Sequence, residues 1–255
     1  MNFADVLPAL KAKPTVFLAA DSTVQSYTPD EAPLTGWGQQ LWRCAGGAAL
    51  CRAGHRENCP FPQETRYTLP ALVIDNCAMG GRSSRTFREE GRLADIESQL
   101  KPGDYLVVQF GHNDANPDKP ERYVAAADFG ASLRPYLEAA RSRGALLVLV
   151  SPIAMREFDE TGRCPAPFAA HRAAMAAFAR ENGVPFLDLG AETAAANTAA
   201  GPLRTTTWYR QLPDGSQDNA HLQSAGALRF ARAFVAALHK NTDPRLDLLR
   251  AVFPL

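Results

Sequence analysis

The sequence predicts an α/β fold in which a parallel sheet lies between two layers of helices. Three observations lead there. Its short aliphatic and β-branched runs are continuously apolar rather than alternating, the pattern of strands buried on both faces. Alanine-rich stretches with helical spacing of apolar residues separate these runs, so the strands are joined by right-handed crossovers. The length, 255 residues, suits one undivided α/β domain covering positions 1–255.

The first strand is expected at 15–19. Positions 43–70, rich in Gly, Cys, Pro and Arg, read as an irregular insertion. The second strand is expected at 72–76, followed by a helix at 93–100. A third strand at 105–110, a helix at 125–143, a fourth strand at 145–151, a helix at 166–182 and a fifth strand at 184–189 continue the alternation. Positions 194–217 show no clear period and end in the turn signal Pro213-Asp214-Gly215. A last long helix at 224–240 has a broad apolar side made by Leu228, Phe230, Ala231, Phe234, Val235 and Leu238. The tail, 241–255, places Pro244 in the first turn of a short helix and docks its leucines on the same domain, a dimer contact being the rival reading.

Composition narrows the function classes. Basic and acidic side chains number 27 each, so no net charge draws the chain to nucleic acid or to an anionic membrane. Its longest aliphatic run, 146–150, is far short of a membrane span. Positions 1–13 hold no signal-peptide pattern, and five cysteines are an odd number in a chain that folds without staples. Both point to the cytoplasm, with secretion left for a chain trimmed at its N-terminus. Cys44, Cys51, His55 and Cys59 lack the tight Cys-x2-Cys pair of common zinc sites and read as free thiols, with zinc or a disulfide as alternatives. Monomer and homodimer both remain open.

Four blocks carry chemistry: Asp21-Ser22-Thr23, Gly80-Gly81-Arg82-Ser83, Gly111-His112-Asn113-Asp114 and Asp218-Asn219-Ala220-His221. The first three follow successive strands and so share the carboxyl rim of the sheet, where ligands bind in such folds. Ser22 is a weak nucleophile unless a base takes its proton. His221 is the candidate base, and Asp218 can reach its other ring nitrogen if both lie on one turn. Attack on an ester carbonyl makes an oxyanion, for which the N–H of Gly81, the amide of Asn113 and the N–H of Ser22 are candidate donors. Each block alone has an ordinary alternative: a solvated aspartate and surface histidine, a strand-to-helix turn, a loop-capping amide. Asp21 is read as the cap of a helix after Ser22. His112 is read as holding the oxyanion loop or touching substrate, His171 and His239 as helix-surface residues, and Trp37 as core. Arg82 and Arg85 either bind substrate carboxylates or form internal salt bridges; Trp208 and Tyr209 either stack on sugar rings or are core.

The same series, with Asn76-x4-Gly81-Arg82-Ser83-Ser84-Arg85-Thr86-Phe87 and Trp37-Gly38, resembles the SGNH (GDSL-type) hydrolases, and within them the rhamnogalacturonan acetylesterases. The resemblance spans most of 15–240. It implies a flavodoxin-like sandwich with strand order 2-1-3-4-5. It also implies Ser22 as nucleophile, His221 as base, Asp218 as its orienter, and Gly81 and Asn113 as oxyanion donors, with no cofactor. The implied activity is serine-dependent removal of acetyl groups from a carbohydrate of the pectin type. A lipase or thioesterase of the same superfamily and a non-catalytic carbohydrate-binding relative are the alternatives. One departure stands out: Ala20 replaces the family's usual glycine.

Overall fold

The computed structural model describes residues 13–255, so the stretch read for an export signal lies almost wholly outside the described residues. At its centre β1 (Thr15–Ala20) pairs in parallel with β4 (Val73–Asn76) on one side and β5 (Tyr105–Gln109) on the other. Beyond β5 lie β6 (Leu146–Val150) and the two-residue β7 (Phe186–Leu187), also parallel. The side chains of β1 divide the core. Val16, Leu18 and Ala20 join one buried cluster, and Phe17 and Ala19 join another on the opposite face.

The expected five-stranded sheet is not what forms: with β2 (Arg52–Gly54) and β3 (Thr65–Thr68), the main sheet of the described residues has seven strands, in the order β2-β3-β4-β1-β5-β6-β7. These two additional strands come from the segment read as irregular. They run antiparallel at the β4 edge. A tight reversal in which the N–H of Leu69 donates to Leu72 O (2.9 Å) folds β3 back onto β4. Tyr67 is then buried, and its hydroxyl meets Ser26 Oγ at 3.0 Å. Arg66 of β3 pairs with the buried Asp75 of β4 at 2.8 Å. Such edge strands are short and half-exposed, so they lack the continuous apolar run that marks the central ones.

Helices α2 (Ser84–Glu89), α3 (Arg92–Gln99), α4 (Ala126–Ser142) and α5 (Ala169–Asn182) cover the face of Phe17 and Ala19. The other face carries the short α1 (Trp37–Gln40), α6 (Leu189–Thr205), α7 (Ser224–Lys240) and α8 (Asp247–Val252). Trp37 is fully buried, stacks on Phe234 of α7 with ring centroids 5.0 Å apart, and donates its indole N–H to Gln109 Oε1 (2.9 Å). Helix α6 has no counterpart in the sequence reading, because its many alanines give no clear period. It breaks at Gly201 (φ 77°) ahead of Pro202. The tail places Leu246, Leu249, Val252 and Phe253 in the buried cluster beneath α7. Among the described residues, no helix is long and apolar enough to cross a membrane.

Two histidines read as surface residues are partly or wholly enclosed. His171 is buried with Nε2 2.8 Å from Val124 O, and His239 Nε2 lies 2.7 Å from Phe253 O, so each ties a helix to a neighbouring segment.

Candidate active site

The chain leaves β1 through a single turn, not a helix: the N–H groups of Val24 and Gln25 both donate to Asp21 O at 3.2 Å. Asp21 therefore caps no helix. Its Oδ1 accepts from the N–H (2.9 Å) and hydroxyl (2.8 Å) of Thr23, and Oδ2 faces His112 Nδ1 at 3.5 Å. Burial would raise the Asp21 carboxyl, but His112 and Thr23 outweigh it and hold the group below its usual value. Thr23 in turn accepts from Gln109 Nε2 (2.8 Å), and Tyr27 donates its hydroxyl to Ser22 O (2.8 Å). A chain of buried polar contacts from Trp37 through Gln109, Thr23 and Asp21 thus fixes the turn that carries Ser22. Ala20 is the last residue of β1, in extended backbone, so its methyl meets no demand for positive φ.

His221 arrives from 199 residues away. It lies on β9 (Gln217–Leu222), which pairs with β8 (Tyr209–Gln211) in a separate antiparallel ribbon. That ribbon is tied to the rim where Thr35 N–H donates to Leu222 O (3.0 Å) and Arg156 N–H donates to Asn219 O (2.7 Å). Asp218 Oδ1 accepts the N–H groups of Ala220 and His221, each at 3.0 Å, which leaves Oδ2 to meet His221 Nδ1 at 2.8 Å. Nε2 of the same ring stands 3.0 Å from Ser22 Oγ. An ionised carboxylate only accepts, so the proton belongs on Nδ1 and the lone pair on Nε2 faces the serine hydroxyl. Burial raises the Asp218 carboxyl, yet the two N–H groups and the imidazole prevail and hold it below its usual value.

The second and third blocks close on the same serine. A Cβ at Gly80 would sit 3.4 Å from Ser22 Cβ, and Gly81 adopts φ 77°, a conformation that any side chain would strain. Among the described residues, neither Gly81 N–H nor Ser22 N–H is engaged in another hydrogen bond. Asn113 is buried and donates one amide hydrogen to Arg82 O (2.9 Å), which anchors the third block to the second and leaves the other hydrogen free. Asp114 is buried too, with Oδ1 accepting Ser84 N–H at 2.9 Å; burial drives its carboxyl up to about 7.

Ser22, His221, Asn113 and His112 line one cavity of about 380 Å³. His112 stacks edge-on against Phe168 with centroids 5.2 Å apart. The cavity wall also includes Arg122, Met155 and Phe168, which sequence reasoning missed because they stand in loops without a motif. Phe168 alone leaves a backbone mark, a φ of 51° rare for a bulky residue.

Four other expected site residues are placed elsewhere. Arg82 pairs with Glu90 at 2.9 Å and donates to Gly80 O at 2.7 Å, the internal salt bridge rather than the substrate contact. Arg85 donates to Pro120 O (3.0 Å). Trp208 is only 7% exposed and packs edge-on against Phe230, while Tyr209 is fully buried, donating to Ala154 O (2.7 Å) and accepting from Asn197 Nδ2 (2.8 Å). Neither aromatic can stack on a sugar: Tyr209 is turned inward by its place in the β8–β9 ribbon, and Trp208, just before it, by packing on α7.

The four residues weighed as a zinc set do not assemble. All five cysteines are free, and Cys44 and Cys51 pack against the core. Ligand atoms of His55, Cys59 and Glu64 do come within 4.8 Å of one another. Arg56 occupies that group, donating its backbone N–H to Glu64 (2.8 Å) and its guanidinium to Cys59 Sγ (3.2 Å).

Residues 21–229 match the GDSL-like Lipase/Acylhydrolase family model. The rhamnogalacturonan acetylesterase RhgT of Bacillus subtilis is 35% identical over 242 residues, covering 92% of this chain and 93% of its own. A rhamnogalacturonan acetylesterase of Emericella nidulans is 28% identical, covering 91% of this chain and 87% of its own. Among solved structures, protein YxiM of B. subtilis superposes with a TM-score of 0.73 at 29% identity, over 90% of this chain and 57% of that one. A family match across most of the chain and a relative this similar over nearly its whole length lead to one conclusion: the chain belongs to the GDSL-like lipase/acylhydrolase family.

Proposed function

We propose that this protein is a serine esterase that removes O-acetyl groups from carbohydrate, with acetylated rhamnogalacturonan oligosaccharides as its substrate. The observation that carries the chemistry is the continuous path Asp218–His221–Ser22, at 2.8 and 3.0 Å, opening on a cavity large enough for an acetylated sugar. The printed names of the relatives support the substrate class.

Ser22 Oγ attacks the acetyl carbonyl as its proton passes to His221 Nε2, and Asp218 stabilises the imidazolium that results. The oxyanion faces the N–H of Ser22, the N–H of Gly81 and the free amide hydrogen of Asn113. The sugar oxygen leaves with the proton from His221, and the acetyl group stays on Ser22. Water, deprotonated by His221, then attacks the acetyl-enzyme and releases acetate. The five free cysteines support a cytoplasmic setting, in which the substrate is an imported oligosaccharide.

Acetate release from acetylated rhamnogalacturonan oligosaccharides is the test. Wild type releases acetate and labels with a fluorophosphonate, whereas Ser22→Ala does neither. Equal rates in the two proteins would remove Ser22 from the mechanism, and a preference for octanoate over acetate among p-nitrophenyl esters would replace the carbohydrate reading with a lipase-type one.

A further inference from the structure

Arg122 stands on the loop that follows the third block, its N–H donating to Lys119 O (3.0 Å), and its side chain lines the cavity of Ser22 and His221. Among the described residues it is the arginine that lines this cavity, which Arg82 and Arg85 do not. It enters no ion pair among the described residues, whereas Arg82 is neutralised by Glu90. Among the described residues, no aspartate or glutamate lines the cavity. The guanidinium makes one long hydrogen bond, from Nη1 to Gly81 O at 3.4 Å, and its Nε is buried without a partner. A Cβ on Gly81 would lie 3.3 Å from the same Nη1, so the cation sits against the glycine that borders the expected oxyanion position.

A buried donor without a partner costs roughly 1–3 kcal/mol, more beside a charge, and a guanidinium offers a planar fork matched to a carboxylate. We propose that Arg122 binds a carboxylate of the substrate, so that the site selects O-acetylated sugars that carry a uronate near the acetyl group. The inference rests on the esterase reading above and deepens it. It moves the carboxylate contact considered for Arg82 and Arg85 to a residue that faces the cavity. The neutral walls formed by Met155 and Phe168 supply no competing anion, so an incoming carboxylate is the counter-charge that the Arg122 guanidinium lacks.

The readout is a ratio that a merely structural role would not move: kcat/KM for acetate release from an acetylated uronate oligosaccharide over that from the same compound with its carboxyls methyl-esterified. In wild type this ratio is expected to be roughly 10 to 100, the fold-change of one charge-assisted hydrogen-bonded pair. Arg122→Gln brings it to within about threefold of unity, mainly through KM, and Arg122→Lys restores part of it. Acetylated xylo-oligosaccharide, which is neutral, serves as a further reference. A ratio in Arg122→Gln equal to that of wild type overturns the inference while leaving the esterase reading intact. A wild type that hydrolyses the xylo-oligosaccharide but neither uronate substrate overturns both this inference and the proposed substrate.

Discussion

Replacing Asp218 by asparagine keeps the shape of the site and inverts one hydrogen bond. The amide cannot simply turn over, because Oδ1 already accepts two backbone N–H groups at 3.0 Å and an NH₂ there would face both of them. Nδ2 therefore points at His221 Nδ1, the ring answers by placing its proton on Nε2, and the acceptor that faces Ser22 is lost. The imidazolium of the transition state also loses its counter-charge. Two unit charges 2.8 Å apart attract by about 6 kcal/mol at an effective dielectric near 20. The side chains of His221 and Asp218 are 36% and 17% exposed, so solvent screening reduces this to about 4–5.5 kcal/mol. That corresponds to a loss in kcat of about 10³–10⁴, with KM nearly unchanged, measured on p-nitrophenyl acetate and on the acetylated oligosaccharide. Asp218→Asn activity within tenfold of wild type would refute the assignment of Asp218 as orienter. The same variant has a signature in stability. Because the folded carboxyl is held below its ordinary value of 3.8, its contribution is present above that pH and lost as the pH falls through the lowered folded value. The gap in unfolding free energy between wild type and Asp218→Asn should therefore narrow on acidification below about pH 4.

Two further outcomes are expected. Asn113→Ala removes one oxyanion donor and should lower kcat about 10²–10³-fold while sparing KM; steady-state kinetics decide this, and a change confined to KM would instead make Asn113 a substrate-binding group. Gly226→Ala would drive a Cβ into Trp208 O, an overlap with backbone that should cost about 2–3 kcal/mol of unfolding free energy, read from urea denaturation, and lower activity as well, since Trp208 O also accepts Gln223 N–H beside β9.

The central strands and the helices α4, α5 and α7 were legible because each is a continuous apolar run or a clear 3.6-residue pattern; α7 begins and ends where its periodicity does. The edge strands β2 and β3 and the helix α6 were not. The former owe their pairing to a turn and to Arg66–Asp75, and the latter's alanines bury too little to leave a stripe. The blocks carrying Ser22, Gly81 and Asn113 were legible since a strand's end fixes where the next few residues stand. The spacing of His221 from Asp218 allowed the two to meet, and they do so within the strand β9. Trp208 and Tyr209 misled because an aromatic pair in a loop-like stretch gives no sign of which way a two-stranded ribbon will face. Arg122 escaped notice because an arginine's meaning depends on whether a carboxylate lies within reach, which only the folded chain decides.

The separation of Ser22 from His221 along the chain has a consequence for biosynthesis. Residues 15–187 complete all seven strands of the main sheet, but His221 is still unmade at that point. A ribosome must deliver the β8–β9 ribbon, and the helix that seats it, before the serine acquires its partner. On the proposed mechanism, ester hydrolysis therefore requires that the segment carrying β8 and β9 has docked on the finished sheet.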